Sequence, residues 1–129
     1  MCSRVCAHNL ALTVDLRVAD ARALPYTADS FDAALDKGAL DAVFLSGGSE
    51  FSERKLQLQR AVDELERALQ PGGVVLSVTA AATPHVAKAF AASGGWRVLR
   101  DGEFHVTEDG FASNNVDATM LAWSKAKAQ

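Results

Sequence analysis

Hydrophobic positions recur with two different periods along this chain, and the change of period marks out its elements. Residues 14–19 (VDLRVA) alternate apolar and polar, the period of a strand, and residues 31–36 (FDAALD) read as a second short strand. From about Glu53 to Leu69 the period lengthens. Leu58, Ala61, Val62, Leu65, Ala68 and Leu69 follow the spacing of one helix face, with Ser52 placed to cap it and Pro71-Gly72-Gly73 to end it. Residues 74–79 (VVLSVT) form an almost unbroken apolar run, which predicts a strand buried on both faces. Thr83-Pro84 opens another helix carrying Val86, Ala87, Phe90 and Ala91, and Gly94-Gly95 stops it. Residues 96–106 and 117–124 predict two closing strands, with Trp96 and Trp123 in the core. Residues 3–12 read as a short helix, and Leu40, Val43 and Phe44 suggest a helical turn after Lys37-Gly38. Pro25 ends the first strand segment, because proline cannot donate to a sheet ladder. Ser46-Gly47-Gly48-Ser49 is a break.

Strands that alternate with helices and then close in a hairpin-like pair imply an α/β fold with a mostly parallel sheet. Right-handed crossovers would bring the loops after residues 20, 36 and 79 to one edge, where open α/β sheets bind ligands.

Composition narrows the function. The 129 residues suit a single domain spanning 1–129, and 49% hydrophobic with 22% charged is an ordinary globular balance. A net charge of −3 gives no basic footprint for nucleic acid or an anionic membrane. No apolar run reaches the ~18 residues of a membrane span, and the N-terminus makes a poor signal peptide, so the expected location is the cytoplasm. Cys2, Cys6 and His8 lack a fourth ligand, so no metal site is expected. Gly47-Gly48 is not followed by Lys-Ser or Lys-Thr, which excludes a P-loop, and no G-x-S-x-G elbow supports a serine hydrolase.

Three patterns carry the chemistry: Ala19-Asp20-Ala21 with Leu24-Pro25-Tyr26 and Asp29-Ser30-Phe31-Asp32, then Asp36-Lys37-Gly38-Ala39-Leu40-Asp41-Ala42, then Leu69-Gln70-Pro71-Gly72-Gly73. Together they resemble the class I, seven-strand, Rossmann-like methyltransferases that use S-adenosyl-L-methionine (SAM). The likeness runs over roughly residues 12–126. The D-K-G-x-L-D-A segment is similar to the methyltransferase-like branch that methylates lysines or N-termini of proteins.

The resemblance implies SAM as cofactor and a protein as methyl acceptor. It implies cofactor contacts at Asp20, Ala21, Asp36, Lys37 and Gly38. Asp20 would accept a hydrogen bond from the adenine amino group, beside the Ala21 N–H. An exocyclic amine needs such an acceptor. Asp36 would be the catalytic residue, orienting the attacking amine and holding its departing proton. Asp41 is a weaker candidate, Asp29 and Asp32 read as turn acids, His85 as a surface histidine, and His105 carries no role.

The pattern also departs from the family. All nine glycines fall at or after Gly38, so the G-x-G-x-G turn and the ribose-binding acid have no counterpart in these residues. The implied fold is therefore a Rossmann-like sheet with an antiparallel C-terminal strand pair, lacking the family's first two strands. The 14–19 strand would then pair with 31–36, pair with another chain, or leave an open edge suited to a homodimer. The alternatives to a truncated methyltransferase are a non-catalytic binding or dimerisation module and, more weakly, an aminopropyl transferase of the spermidine-synthase type.

Overall fold

The computed structural model describes residues 2–7, 12–99, 104–106 and 118–127. Its elements are β1 (Cys2–Ala7), β2 (Leu12–Arg17), β3 (Phe31–Lys37), α1 (Ala39–Leu45), α2 (Phe51–Ala68), β4 (Leu69–Thr79), α3 (Thr83–Ser93), β5 (Trp96–Val98), β6 (Phe104–Val106) and β7 (Ala118–Lys125).

The main sheet has five strands in the order β3-β4-β7-β5, with β6 also paired to β7. β3 and β4 are parallel, and β7 is antiparallel to β4, β5 and β6. Four strands therefore run one way and β7 runs against them. That is the mainly parallel sheet that the alternation of elements implied, with the antiparallel C-terminal addition of the Rossmann-like fold that the resemblance implied. The crossover from β3 to β4 passes through α1 and α2. Both helices start from the C-terminal end of β3, so α2 runs back toward the start of β4.

Several sequence expectations are corrected. Residues 2–7 form a strand, not the start of a helix, and pair antiparallel with β2 through Val5 opposite Val14 and Cys6 opposite Thr13. A short apolar run does not distinguish the two states; the partner strand decides. The predicted 14–19 strand is Leu12–Arg17, and Val18 lies beyond it, almost fully exposed. This hairpin is a sheet of its own, so β2 does not pair with β3. Asp32 lies within β3 rather than in a turn. Ser52 does not cap α2, which starts at Phe51 behind Glu50 with no side-chain cap.

The Leu69–Gly73 stretch also differs from expectation. It does not form a loop after the helix but opens β4 directly. Phe31 pairs with Leu69 and Ala33 with Val74, so three extra residues bulge from β4 at this point. The 96–106 segment is two short strands rather than one.

The core lies on one side of the sheet. Leu40 and Phe44 of α1, Leu58, Ala61 and Val62 of α2, and Val86, Ala89 and Phe90 of α3 pack on Val75 and Trp123. Phe90 stacks on Trp123 with ring centroids 3.7 Å apart, and Trp96 meets Phe90 edge-on. Both tryptophans thus belong to the core or its margin. α3 ends where Gly94 turns into the left-handed region at φ 75°, a conformation costly for residues with a Cβ. The other sheet face is open: Leu35 is 74% and Leu76 39% exposed. The expectation that 74–79 is buried on both faces therefore holds for one face only. All three helices lie on the same side, and no described element covers the other.

Candidate functional site

The sequence candidates fall in two places. Asp20 and Ala21 occupy the segment after β2, which is laid against α2. The Leu24 N–H donates to Glu64, and Arg67 donates to the carbonyls of Tyr26 and Leu24. Residues of α2 at 57, 64 and 67 thus hold the segment to the helix by polar contacts rather than by a strand ladder. Within it, the Ala23 N–H donates to the Asp20 carbonyl at 3.0 Å and makes a tight turn. Ala21 is half-buried against the core.

The Asp20 carboxylate is exposed and is gripped by its neighbour. Arg22 donates its backbone N–H and Nε to Oδ1, both at 2.9 Å, and a terminal nitrogen to Oδ2 at 2.6 Å. These bonds hold the Asp20 carboxyl down at about 2, well below its ordinary 3.8, and raise the Arg22 guanidinium. The other terminal nitrogen of Arg22 donates to Gln57 of α2 at 2.7 Å. Asp20 is thereby tied to the first half of α2, the half nearer the C-terminal ends of the strands. A carboxylate offers roughly four lone-pair positions, so three donors leave one open. Among the described residues, the Ala21 N–H has no hydrogen-bond partner. An acceptor and a donor are thus available side by side, which fits the edge of an adenine.

Asp36 is the penultimate residue of β3 and points to the helix-covered side. It is buried, at 7% exposure, and accepts from the Leu40 N–H at 3.1 Å and from the Ser77 hydroxyl. The first bond satisfies an orphan donor in the opening turn of α1. Lys37 is exposed. Gly38 takes φ 78°, its N–H donates to the Val78 carbonyl at 3.0 Å, and nothing lies within 4 Å of where a Cβ would stand. That left-handed turn is why glycine is needed between β3 and α1, and it leaves open space beside the backbone.

Sequence reasoning undervalued Asp41. It is buried and accepts from the Thr79 hydroxyl and from the N–H groups of Ala80 and Ala81 at 2.8 and 3.1 Å. It therefore pins the loop after β4 beside the end of β3. A charged residue on the apolar stripe of a short helix was the available signal. His85 is not a free surface group. It is half-buried, stacked on Phe44 with centroids 4.4 Å apart and edge-on to Phe51. Asp29 is the turn residue expected, at φ 56°, and its carboxylate meets Lys125 at 3.0 Å. Cys2, Cys6, His8 and His105 have side chains outside the described residues. Among the described residues, no three His, Cys, Asp or Glu side chains cluster as metal ligands, and no helix is long and apolar enough to cross a membrane.

The arrangement offers a polar clamp near α2 and a buried carboxylate at the end of a parallel strand, flanked by a glycine turn. Solved structures share the fold. A SAM-dependent methyltransferase from Methanosarcina mazei superposes with a TM-score of 0.54 at 16% identity, over 87% of this chain and 67% of that one. The N-methyltransferase NodS from Bradyrhizobium japonicum gives 0.53 at 15% identity, over 84% and 58%. A Thermus thermophilus protein described as a candidate DNA modification methylase, solved in complex with S-adenosyl-L-methionine, gives 0.55 at 14% identity, over 87% and 53%. The chain spans about half the length of several solved structures it matches. No curated protein matches it. The family profile described as "Methyltransferase domain" matches residues 2–77, which hold Asp20, Ala21, Asp36, Lys37, Gly38 and the Leu69–Gly73 stretch. With more than half of its residues in that match, the chain belongs to the methyltransferase-domain family.

Proposed function

We propose that this chain is the acceptor-side part of a SAM-dependent methyltransferase acting on a nitrogen nucleophile, with a protein lysine as the acceptor. The family match over 2–77 carries the reaction class. The D-K-G-x-L-D-A segment supports the acceptor. When bound, SAM supplies an electrophilic methyl group. The chain's own residues bind and orient. Asp20 takes the adenine amine on its remaining lone pair, and the Ala21 N–H donates to the ring beside it. Asp20 is ionised, hence an acceptor, throughout the neutral range, and the Arg22 hydrogen bonds fix its orientation.

Asp36 serves the acceptor. Two of its roughly four lone-pair positions are engaged by Leu40 and Ser77, which fix its rotamer and leave capacity for the attacking amine and its departing proton. Lys37 and Gly38 shape the turn over which the acceptor approaches. Displacement at carbon needs an in-line arrangement, so positioning supplies much of the rate. The enzyme acts in the cytoplasm in this reading.

Calorimetric titration with SAM tests the proposal. Heat that is lost in Asp20→Ala supports the adenine contact, and unchanged affinity removes it. In a turnover assay with a lysine peptide, Asp36→Ala should lower kcat far more than SAM affinity, and the reverse result would make Asp36 structural. No heat at millimolar SAM favours the second reading, a non-catalytic binding module. The observation behind that reading is that Arg22 already occupies most of the Asp20 carboxylate.

A further inference from the structure

α2 and α3 pack side by side, and a groove of about 170 Å³ runs between them on their outer surface. Two stripes at helical spacing build it: Phe51, Lys55 and Leu58 of α2 face His85, Lys88 and Ala92 of α3. Leu58 is buried and forms the floor, Phe51 is 51% exposed, and Lys55, Lys88 and Ala92 are exposed. The walls are held in place. Gln59 of α2 donates to the Ala89 carbonyl of α3 at 3.1 Å, and His85 stacks on Phe44. Both helices begin at the C-terminal ends of strands, so the Phe51–His85 end of the groove opens toward the edge that carries Asp36.

Charge sets this groove apart. The chain carries a net charge of −3, yet every ionisable side chain that lines the groove is a lysine or a histidine. Asp63, one turn beyond Gln59, is engaged by it at 3.0 Å and does not line the groove. Among the described residues, Arg22, Arg67 and Lys125 each hold a carboxylate, whereas neither Lys55 nor Lys88 is in an ion pair. Lys55 instead lies 5.7 Å from the centroid of the Phe51 ring. Size narrows the ligand further. Sites for cofactors and drug-sized molecules are usually about 300–1,000 Å³, and this groove has room for little more than one large side chain.

We propose that the groove docks an acidic peptide segment of a partner protein. One large apolar side chain of the segment sits between Phe51, Leu58 and Ala92, and carboxylates on either side of it meet Lys55 and Lys88. An apolar anchor inside a polar rim is the usual anatomy of a protein contact. The phosphates of a nucleic-acid strand would reach the two lysines and leave the floor wet, so the floor favours a peptide. The walls are already ordered, which lowers the cost of binding. The docking surface goes beyond the methyl-transfer reading, and its test is independent of SAM.

Fluorescence anisotropy tests the proposal, with the whole chain titrated into a short labelled peptide that carries one phenylalanine among glutamates. Binding with Kd between about 1 μM and 1 mM is expected. Lys88→Glu should weaken it about tenfold or more, because charge reversal turns attraction into repulsion. Ala92→Phe fills the groove without changing its charge and should weaken binding as much. Both positions are exposed, and unchanged circular dichroism spectra would show that the variants fold. Glutamine in place of the peptide's glutamates, or alanine in place of its phenylalanine, should remove most of the signal. No rise in anisotropy at millimolar protein overturns the proposal, and so does binding that either substitution leaves intact. A labelled oligothymidylate that binds as tightly, and loses binding in Lys88→Glu, would make the surface a nucleic-acid contact. Self-association in sedimentation that Lys88→Glu abolishes would make the occupant a second copy. Either result overturns the acidic-peptide assignment.

Discussion

The two faces of β4 meet different fates, and the more apolar of them is the one left open. Val75, Ser77 and Thr79 are fully buried under the helices, whereas Val74, Leu76 and Val78 point to a side that no described element covers. The covered side also holds the polar machinery. Asp36 and Asp41 are buried there, Asp36 accepting from one hydroxyl and one N–H group and Asp41 from one hydroxyl and two N–H groups. The lesson concerns layers: an apolar strand establishes that both faces can be buried, and only the placement of helices decides which one is.

The comparison can be broken most severely on the covered side. Phe90→Ala should cost about 3–5 kcal/mol in chemical denaturation, because the ring fills the space against Trp123 and Trp96 and its removal leaves a cavity. Next comes Asp41→Ala, with an expected loss of about 2–3 kcal/mol, since the Ala80 and Ala81 N–H groups lose their acceptor. Asp41→Asn should retain part of that stability by keeping one oxygen. If Asn were as damaging as Ala, the charge rather than the hydrogen bonding would matter.

The open side sets the lower end. Leu76→Thr should shift the monomer's stability by no more than about 0.5 kcal/mol, since the site is already wet and threonine suits a strand. A cost approaching that of Phe90→Ala would mean that this face is covered in solution.

The smallest effect belongs to the exposed clamp. Asp20 should titrate at about 2 by carbon-detected NMR, and Arg22→Ala should return it toward 3.8. The folded value is depressed, so the contribution to stability is complete above about pH 4 and disappears as pH falls through about 2. The carboxylate is fully solvent-exposed, so that contribution is slight. A midpoint unmoved by Arg22→Ala would show that the hydrogen bonds do not set it.

Much of the architecture was legible because it rests on local rules. The helical stripe from Leu58 to Ala68, proline at the start of α3 and glycine at its end each act within a few residues of themselves. Residues 2–7 were misread because a six-residue run satisfies either period, and its state is set by pairing with Leu12–Arg17. Ser52 was misplaced because capping depends on backbone geometry at a boundary that lies two residues earlier than the apolar stripe suggests, at Phe51. Among site residues, Asp20, Asp36 and Gly38 were visible as motif positions, but their partners were not. The Arg22–Gln57 and Asp36–Ser77 contacts join residues 35 and 41 positions apart, beyond any periodicity.

By itself, the sequence determined most of the alternation of elements, a glycine break between the second predicted strand and the helical turn after it, and a resemblance whose reaction class agrees with the family match over residues 2–77. These depend on steric limits and side-chain types that each residue carries with it. Only the tertiary structure decided that the hairpin stands apart from the main sheet, that all three helices share one face, and that Asp41 anchors the loop after β4. Such outcomes turn on which distant groups meet to satisfy buried donors and apolar surface, and no local pattern records that choice.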